Sequence, residues 1–154
     1  MRSATQPPNV LTHRILAIDY GRKRIGLALS DELGLTAQPL DVLIHKNRRE
    51  DIRRLREICR EHGVRRILVG HPLHITGEAG EMADETARFA NRLGKELGIE
   101  VELADERLTS WEAERIVNKS SSTSSRRVPV DAVAAAILLR EYLDKKRSAI
   151  LGKE

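Results

Sequence analysis

The chain has 154 residues, a length that fits one domain and allows roughly two-thirds of the unfolded surface to be buried. Its 27 lysines and arginines outnumber its 23 aspartates and glutamates, and the resulting net charge of +4 favours a polyanionic partner. The single cysteine excludes an internal disulfide, and without a signal segment or long apolar stretch we expect a cytoplasmic protein with no membrane partner. Aromatic residues make up 3% of the chain, which argues against a base-stacking platform.

The first predicted elements form an antiparallel meander. Residues 1–13 are predicted to be a flexible N-terminal arm, because they contain few apolar side chains. A strand over residues 14–19 is followed by a turn, and residues 25–30 alternate apolar with small side chains, as a returning strand would. A weaker third strand is predicted over residues 38–44.

Helices and strands then alternate along the chain. An amphipathic helix is predicted to end at Gly63, because four apolar residues before it share one helical face. These residues are Ile52, Leu55, Ile58 and Cys59. The sequence further predicts a strand over residues 64–70, a helix over residues 81–97 and a strand over residues 99–104.

The C-terminal third is predicted to contain two helices. Residues 109–112 have the form of a capping box, which predicts a short helix. Serines dominate residues 120–125, a composition typical of a flexible loop. The last helix is predicted from Asp131 to about Lys146, and its run over residues 132–139 is apolar all round, so it should pack against the sheet.

This order of elements predicts one domain of the α/β class. Strands linked through helices pair in parallel, and the opening meander adds antiparallel strands. We therefore expect a mixed five-stranded sheet with helices on both faces. The domain is predicted to span residues 14–147, with a short tail over residues 148–154.

Acidic residues stand at two predicted strand ends and one helix start. Asp19 ends the first strand, Asp105-Glu106 follows the fifth strand, and Asp131 opens the last helix. Singly they have simpler interpretations, because Asp19 could be a turn residue and Asp131 could complement the helix dipole. Together they would form a cluster whose carboxylate oxygens suit two Mg²⁺ or Mn²⁺ ions. The cluster predicts a metal-dependent phosphodiesterase.

The middle acidic site leaves a choice between two residues. Neighbouring strand side chains point to opposite faces, so one of Asp105 and Glu106 should face the cluster and the other should face away. We favour Glu106 as the catalytic residue and metal ligand, beside Asp19 and Asp131, and keep Asp105 as the alternative. On the simplest interpretation, Asp105 caps a turn and Glu106 pairs with a neighbouring arginine.

Basic residues close to these acids are candidates for nucleic-acid binding. They are Arg22, Lys23 and Arg24 in the first turn, Arg107 after the acid pair, and Arg126 and Arg127 before the last helix. Arginine can bind a phosphate through two parallel hydrogen bonds, which suits a phosphodiester backbone. Taken singly, each of these residues is as well explained as solvated surface charge.

Four motifs resemble those of the YqgF family, also called RuvX-like. They are IDYGRKRIGLA over residues 18–28, VGHPLHITG over 69–77, DERLT over 105–109 and VDAVAA over 130–135. The resemblance covers about residues 14–143. It implies a ribonuclease-H-like fold, a bacterial cytosolic setting and a nuclease that processes the 5′ end of pre-16S ribosomal RNA. The same family was also proposed to resolve Holliday junctions.

The chain departs from the family pattern in the second motif, at His71, His74 and Thr76. Two histidines without a third spaced ligand are a weak signal for zinc, so we interpret them as loop residues.

We therefore predict a Mg²⁺- or Mn²⁺-dependent nuclease acting on structured pre-ribosomal RNA. The alternatives are a Holliday junction resolvase acting on four-way DNA and a non-catalytic nucleic-acid-binding module that assists ribosome assembly. Backbone electrostatics serve RNA and DNA alike, so the choice of RNA rests on the resemblance. Symmetric cutting of a junction would need a two-fold homodimer, whereas processing of one RNA end would not, so both monomer and homodimer stay open.

Overall fold

The computed structural model describes residues 13–71, 80–105 and 129–151. Within these ranges the elements, in chain order, are β1 (Arg14–Tyr20), β2 (Arg24–Ser30), β3 (Ala37–Ile44), α1 (Arg48–His62), β4 (Val64–His71), α2 (Glu81–Leu97), β5 (Glu100–Asp105) and α3 (Val130–Leu151). No helix in these ranges is both long and apolar enough to span a membrane. The predicted arm up to residue 12, the capping-box helix and the serine loop lie outside the described residues.

The five described strands form one mixed sheet in the order β3-β2-β1-β4-β5. The pairs β1–β2 and β2–β3 are antiparallel, whereas β1–β4 and β4–β5 are parallel. Helices α1 and α2 return the chain across the sheet, so that β4 and β5 can run in the direction of β1. The prediction of a meander followed by parallel strands is confirmed.

Both faces of the sheet are buried, and strand alternation divides the side chains between them. Leu16 and Ile18 of β1 pack with α1 and α2 on one face, whereas Ile15 and Ala17 pack with α3 on the other. We name these the α1/α2 face and the α3 face. The α1/α2 face also includes Ile25, Leu27, Ile52, Leu55, Ile67, Val69, Phe89 and Leu93. The α3 face also includes Ala28, Leu68, Ala135, Leu138, Leu139 and Leu143.

Helix α1 has a defined start and end. Asn47 is its N-cap, and the side-chain oxygen accepts a hydrogen bond of 2.8 Å from the N–H of Glu50. The helix ends at Gly63, which has a φ of 67° and donates its N–H to the carbonyl of Cys59. The predicted cap at Gly63 is confirmed, and the left-handed Gly98 ends α2 in the same way.

Helix α3 covers the opposite face of the sheet. Its apolar run is buried as predicted, and Ala132, Ala135 and Leu139 are almost fully inaccessible. The helix extends to Leu151, beyond the predicted end near residue 146. Residues 144–149 are exposed and mostly lysine, arginine and alanine, which have high helix propensity, so the helix continues without a buried face there.

Candidate active site

The carboxyl ends of β1, β4 and β5 lie at one edge of the sheet, which we name the carboxyl edge. Parallel pairing aligns Ile18 with Val69, and His71 with Asp105. Helices α1 and α2 each run back from this edge to the start of the next strand, and α3 also begins here, against β2. The positive ends of three helix dipoles therefore lie at the carboxyl edge, where they stabilise negative charge.

Asp19 stands one residue before the end of β1 and is partly buried. Its register partner across the antiparallel ladder is Gly26 of β2. Directly opposite residues in such a pair lie on the same face, and strand alternation groups Asp19 with Ile15 and Ala17 on the α3 face. The acid at the end of β1 therefore lies on the same side of the sheet as the helix that carries Asp131.

At Gly26 the start of α3 contacts the sheet. A Cβ atom at this position would lie 2.8 Å from the Cβ of Asp131 and closer still to its carbonyl oxygen, so only glycine fits. Opposite residues in an antiparallel pair have Cα atoms about 4.5–5.5 Å apart, so Asp19 and Asp131 lie on two neighbouring backbones at one point of the sheet. The structure thus brings these two predicted site residues together.

The three basic residues predicted in the first turn have different surroundings. The Nε of Arg24 lies 3.9 Å from Oδ2 of Asp131, beside a predicted metal ligand. Arg22 instead contacts α2, with its guanidinium 3.1 Å from Oε1 of Glu85. Lys23 is exposed and forms no ion pair with any of the described residues. Of these three cations, Lys23 is the one that has no carboxylate neighbour in the described part of the chain.

Strand β5 carries the third acidic site to the carboxyl edge. Val101 packs on the α1/α2 face, whereas Ala104 packs on the α3 face and Glu102 accepts a hydrogen bond of 2.9 Å from the hydroxyl of Tyr142 on α3. The even-numbered residues of β5 therefore face α3. Asp105 ends the strand.

The remaining predicted site residues lie outside the described residues. They are Glu106, Arg107, Arg126 and Arg127, together with His74 of the second motif. Within residues 13–71, 80–105 and 129–151 there is no group of three His, Cys, Asp or Glu side chains that could hold a metal ion. The described part of the site is thus a pair of acids, Asp19 and Asp131, whose hard oxygen donors fit a divalent ion such as Mg²⁺.

A partly buried aromatic cluster supports the carboxyl edge from the opposite face. The ring of Tyr20 stacks on Phe89 of α2 at 4.1 Å between centroids and meets His45 edge-on at 5.8 Å. Burial raises the pKa of the Tyr20 hydroxyl, and the negative charges of Asp51 and Glu85 raise it further. The residue that follows Asp19 is therefore packed against α2 and against the segment that precedes α1.

Sequence reasoning missed two features of this site. Gly26 lies inside a strand, a position that signals close approach of another backbone, but the sequence does not identify that backbone. The fully buried Asp51 contacts Nδ1 of His45 and accepts a hydrogen bond from the N–H of Lys46. In the sequence, Asp51 looks like an ordinary acid in the first turn of a helix, so no local pattern indicates that it is buried.

The chain is similar to known proteins along most of its length. A family model described as "RuvX: Holliday junction resolvase" matches residues 13–145. A protein of Syntrophus aciditrophicus named "Putative pre-16S rRNA nuclease" is 46% identical over 132 residues, which cover 85% of this chain and 88% of that protein. A protein of Geobacillus kaustophilus with the same name is 44% identical over 137 residues, covering 87% of this chain and 99% of that protein.

Two solved structures share the fold at low sequence identity. Thermus thermophilus RuvC in complex with a Holliday junction substrate has a TM-score of 0.54 and 17% identity, covering 91% of this chain and 96% of that chain. Fowlpox virus resolvase in complex with Holliday junction DNA has a TM-score of 0.54 and 10% identity, covering 86% and 97%. These likenesses concern the fold alone, and they confirm the predicted ribonuclease-H-like architecture.

Proposed function

The chain belongs to the RuvX family, and on that premise we propose that it is a metal-dependent nuclease that processes the 5′ end of pre-16S ribosomal RNA in the bacterial cytoplasm. The observation that carries this proposal is the seating of Asp131 on Gly26, the register partner of Asp19. Two acids from distant parts of the chain meet at the edge where three helices begin. Such a pair of carboxylates is suited to binding hard metal ions.

In this proposal Asp19 and Asp131 hold divalent ions, Mg²⁺ or Mn²⁺, with Glu106 as the third ligand. When bound, two such ions supply an activated water and neutralise the charge that develops on the leaving oxygen. The chain itself supplies rigid support. Ile18 before Asp19 and Ala132 after Asp131 are both buried, so packing limits the movement of each acid.

The alternation of β5 favours Glu106 over Asp105 as the third ligand. The even-numbered residues of this strand face α3, the side on which Asp19 and Asp131 lie. If the alternation continues by one residue, position 106 shares that side and position 105 does not. We therefore expect replacement of Glu106 to reduce cleavage more than replacement of Asp105.

Ribosomal RNA is the preferred substrate because of the relatives. The proteins that are 44–46% identical to this chain are named for pre-16S rRNA, whereas the resolvase structures are 10–17% identical. We propose that Lys23 and Arg24 contact phosphates beside the metal, together with Arg107, Arg126 and Arg127. Arg22 could do so only after leaving Glu85, so it ranks last among the basic candidates.

Holliday junction resolution is the second candidate function. The family model carries that description, and both fold neighbours were solved with junction DNA. Symmetric cutting of a four-way junction needs two active sites related by a two-fold axis, which a monomer does not provide. A measurement of solution mass, followed by cleavage of matched RNA and four-way DNA substrates, separates the two functions.

The metal-site proposal is tested by replacing its two described acids. We expect Asp19→Asn and Asp131→Asn each to reduce Mg²⁺-dependent cleavage of labelled pre-16S RNA by more than about 100-fold. The estimate follows because loss of a group that only supports a metal ligand already costs about 10- to 100-fold. RNA binding should be largely retained, because the basic residues are unchanged.

The matched control is Asp144→Asn, which makes the same change at an exposed position of the same helix as Asp131. It should cleave at the wild-type rate. Cleavage by Asp19→Asn at the wild-type rate would rule out the proposed metal site. Loss of RNA binding in step with cleavage would instead favour the non-catalytic binding module.

A further inference from the structure

Four exposed cations flank the carboxyl edge on its β3 side. They are Lys23 in the β1–β2 turn, Lys46 before α1, and Arg48 and Arg49 at the first two positions of α1. The N–H of His45 donates a hydrogen bond of 2.9 Å to the carbonyl of Lys23, and Ile44 pairs with Arg24. These contacts hold the start of α1 beside the turn that follows Asp19. We name these four residues the basic track.

The cations of the basic track differ from the arginines in the middle of α1. Arg53 pairs with Glu50 and Glu57, Arg54 donates to a carbonyl of β3, and Arg56 donates to the carbonyl of Glu96. The side chains of the basic track form no hydrogen bond or ion pair with residues in the described ranges. Nothing in the described part of the chain therefore holds these side chains away from a ligand.

The two arginines of the basic track lie at a position that is unfavourable for the helix itself. Arg48 and Arg49 follow the N-cap Asn47, at the end where the helix dipole is positive and disfavours cations. Residues that oppose a local rule without a compensating contact are expected at functional sites. Two acids, Glu50 and Asp51, also lie in this first turn, but neither forms an ion pair or hydrogen bond with the side chain of Arg48 or Arg49. Glu50 pairs with Arg53, and Asp51 contacts His45 and the N–H of Lys46.

Hydrogen bonds fix the backbone at the start of α1, which carries three of the four cations of the basic track. Asp51 is fully buried, contacts Nδ1 of His45 and accepts a hydrogen bond of 3.1 Å from the N–H of Lys46. The side chain of Asn47 accepts the N–H of Glu50. The segment is thus held in one conformation, and a ligand that binds there would not have to order it.

We propose that the basic track binds the phosphodiester backbone of the nucleic acid as it leaves the metal site toward β3. The track is a second binding segment for the substrate of the proposed nuclease, and it rests on that proposed function. Its ligand is the sugar–phosphate backbone, since exposed lysines and arginines provide charge and phosphate hydrogen bonds without reading bases. RNA and DNA strands share this chemistry, and the substrates used in the experiment distinguish them.

The test compares two double variants in an Asp19→Asn background, with Mg²⁺ present. One is Arg48→Ala with Arg49→Ala. The other is Arg60→Ala with Arg65→Ala, which removes one arginine from the last turn of α1 and one from the start of β4, both exposed and without a hydrogen bond or ion pair to the described residues. Binding of a labelled single-stranded RNA and of a four-way DNA junction is measured by fluorescence anisotropy over a range of salt concentrations.

We expect the first double variant to weaken RNA binding on the order of 10-fold at 0.1 M salt and to reduce the slope of log K against log salt by about 1.4, because each lost phosphate contact lowers it by about 0.7. Its melting temperature should be unchanged or higher, since two cations leave the positive end of a helix. The second double variant should bind almost as the parent does. A larger loss on RNA than on the junction identifies RNA as the ligand, and the reverse identifies DNA.

Equal losses in the two double variants would overturn the proposal, because net charge alone would then explain binding. An unchanged salt slope in the first variant would also overturn it. Cleavage of the RNA by the Asp19→Asn parent, followed on a denaturing gel, would contradict the proposed metal site instead, so the two failures are distinguishable.

Discussion

The two faces of the sheet differ in the share of small side chains that they contain. Mostly large apolar side chains fill the space between the sheet and the α1/α2 pair, whereas Ala17, Ala28 and Ala135 lie among leucines between the sheet and α3. Burying a large aliphatic side chain contributes about 1.5–3 kcal/mol, against about 0.8 kcal/mol for one methylene-sized group. The large side chains therefore stabilise the fold, while the small ones let α3 approach the sheet closely.

The close approach has a chemical purpose in the proposed enzyme. At Gly26 the backbone of α3 touches the sheet, and there Asp131 meets the strand position of Asp19. The α1/α2 face supports the same edge through Tyr20 and Phe89 but adds no proposed metal ligand. Substitutions on the two faces should therefore change different properties.

The largest change in stability is expected on the α1/α2 face. Leu55 is fully buried, and Leu55→Ala should lower the free energy of unfolding by about 2–5 kcal/mol, because it removes buried methyl groups and leaves a cavity. Urea denaturation followed by circular dichroism measures this change. Cleavage per folded molecule should stay near the wild-type value, since the carboxyl edge is untouched.

The matched control is Leu35→Ala, the same substitution at a residue that is 59% exposed. It should change stability by no more than about 0.5 kcal/mol. If Leu55→Ala also abolished cleavage in its folded fraction, the proposed division between a stabilising face and a positioning face would be wrong.

A smaller loss of stability but a larger loss of activity is expected at Gly26. Gly26→Ala should destabilise the protein by about 1–3 kcal/mol, because the new methyl group overlaps the backbone of Asp131. The start of α3 must then move, and a displacement of about 1 Å at reacting groups can reduce the rate about 100-fold. The measurement is cleavage per folded molecule, beside the melting temperature.

Gly94→Ala adds the same methyl group on the α1/α2 face, where the nearest atom to the new Cβ is a side-chain methyl of Val101 at 3.3 Å. A flexible methyl can shift, and alanine has the higher helix propensity, so this control should be close to neutral. Equal cleavage by Gly26→Ala and Gly94→Ala would remove Gly26 from the positioning of Asp131.

The smallest effect, absent at neutral pH, is expected from Cys59 on the α1/α2 face. Burial raises the pKa of its thiol from 9.0 to about 11. Between these pH values the unfolded thiol loses its proton while the folded thiol keeps it. The free energy of unfolding should therefore fall as the pH rises from about 9 to 11.

Cys59→Ala isolates this contribution, since other groups that titrate at high pH are common to both proteins. The fall in the free energy of unfolding between pH 9 and 11 should be smaller in Cys59→Ala than in the wild-type protein. Identical pH profiles would show that the thiol is open to solvent and that α1 is less tightly packed than the structure indicates.

Much of the fold could be predicted because the signals are local. The apolar spacing of Ile52, Leu55 and Cys59 predicts a helix with one buried face, and Gly63 predicts its end. The far end of α3 was predicted too short, since the exposed residues 147–149 stay helical without an apolar side chain that could be buried against the sheet. Helix ends without a cap signal or a buried face are the least visible in a sequence.

Less of the site could be predicted. Arg22 and Arg24 are equivalent in the sequence, yet one contacts Glu85 of α2 and the other lies beside Asp131. Their partners come from helices that follow much later in the chain. Which cation of the turn stays available to a ligand therefore depends on the packing of those helices.

The sequence by itself determined the elements, the acids at their ends and the motifs that identify the family. These properties depend on neighbouring residues, because periodicity, capping and turn formation act over a few positions. Only the tertiary structure decided that Asp131 lies over Gly26, opposite Asp19, and that Asp51 is buried beneath the basic track. Strand register and close backbone approach join residues far apart in the chain, so no local pattern encodes them.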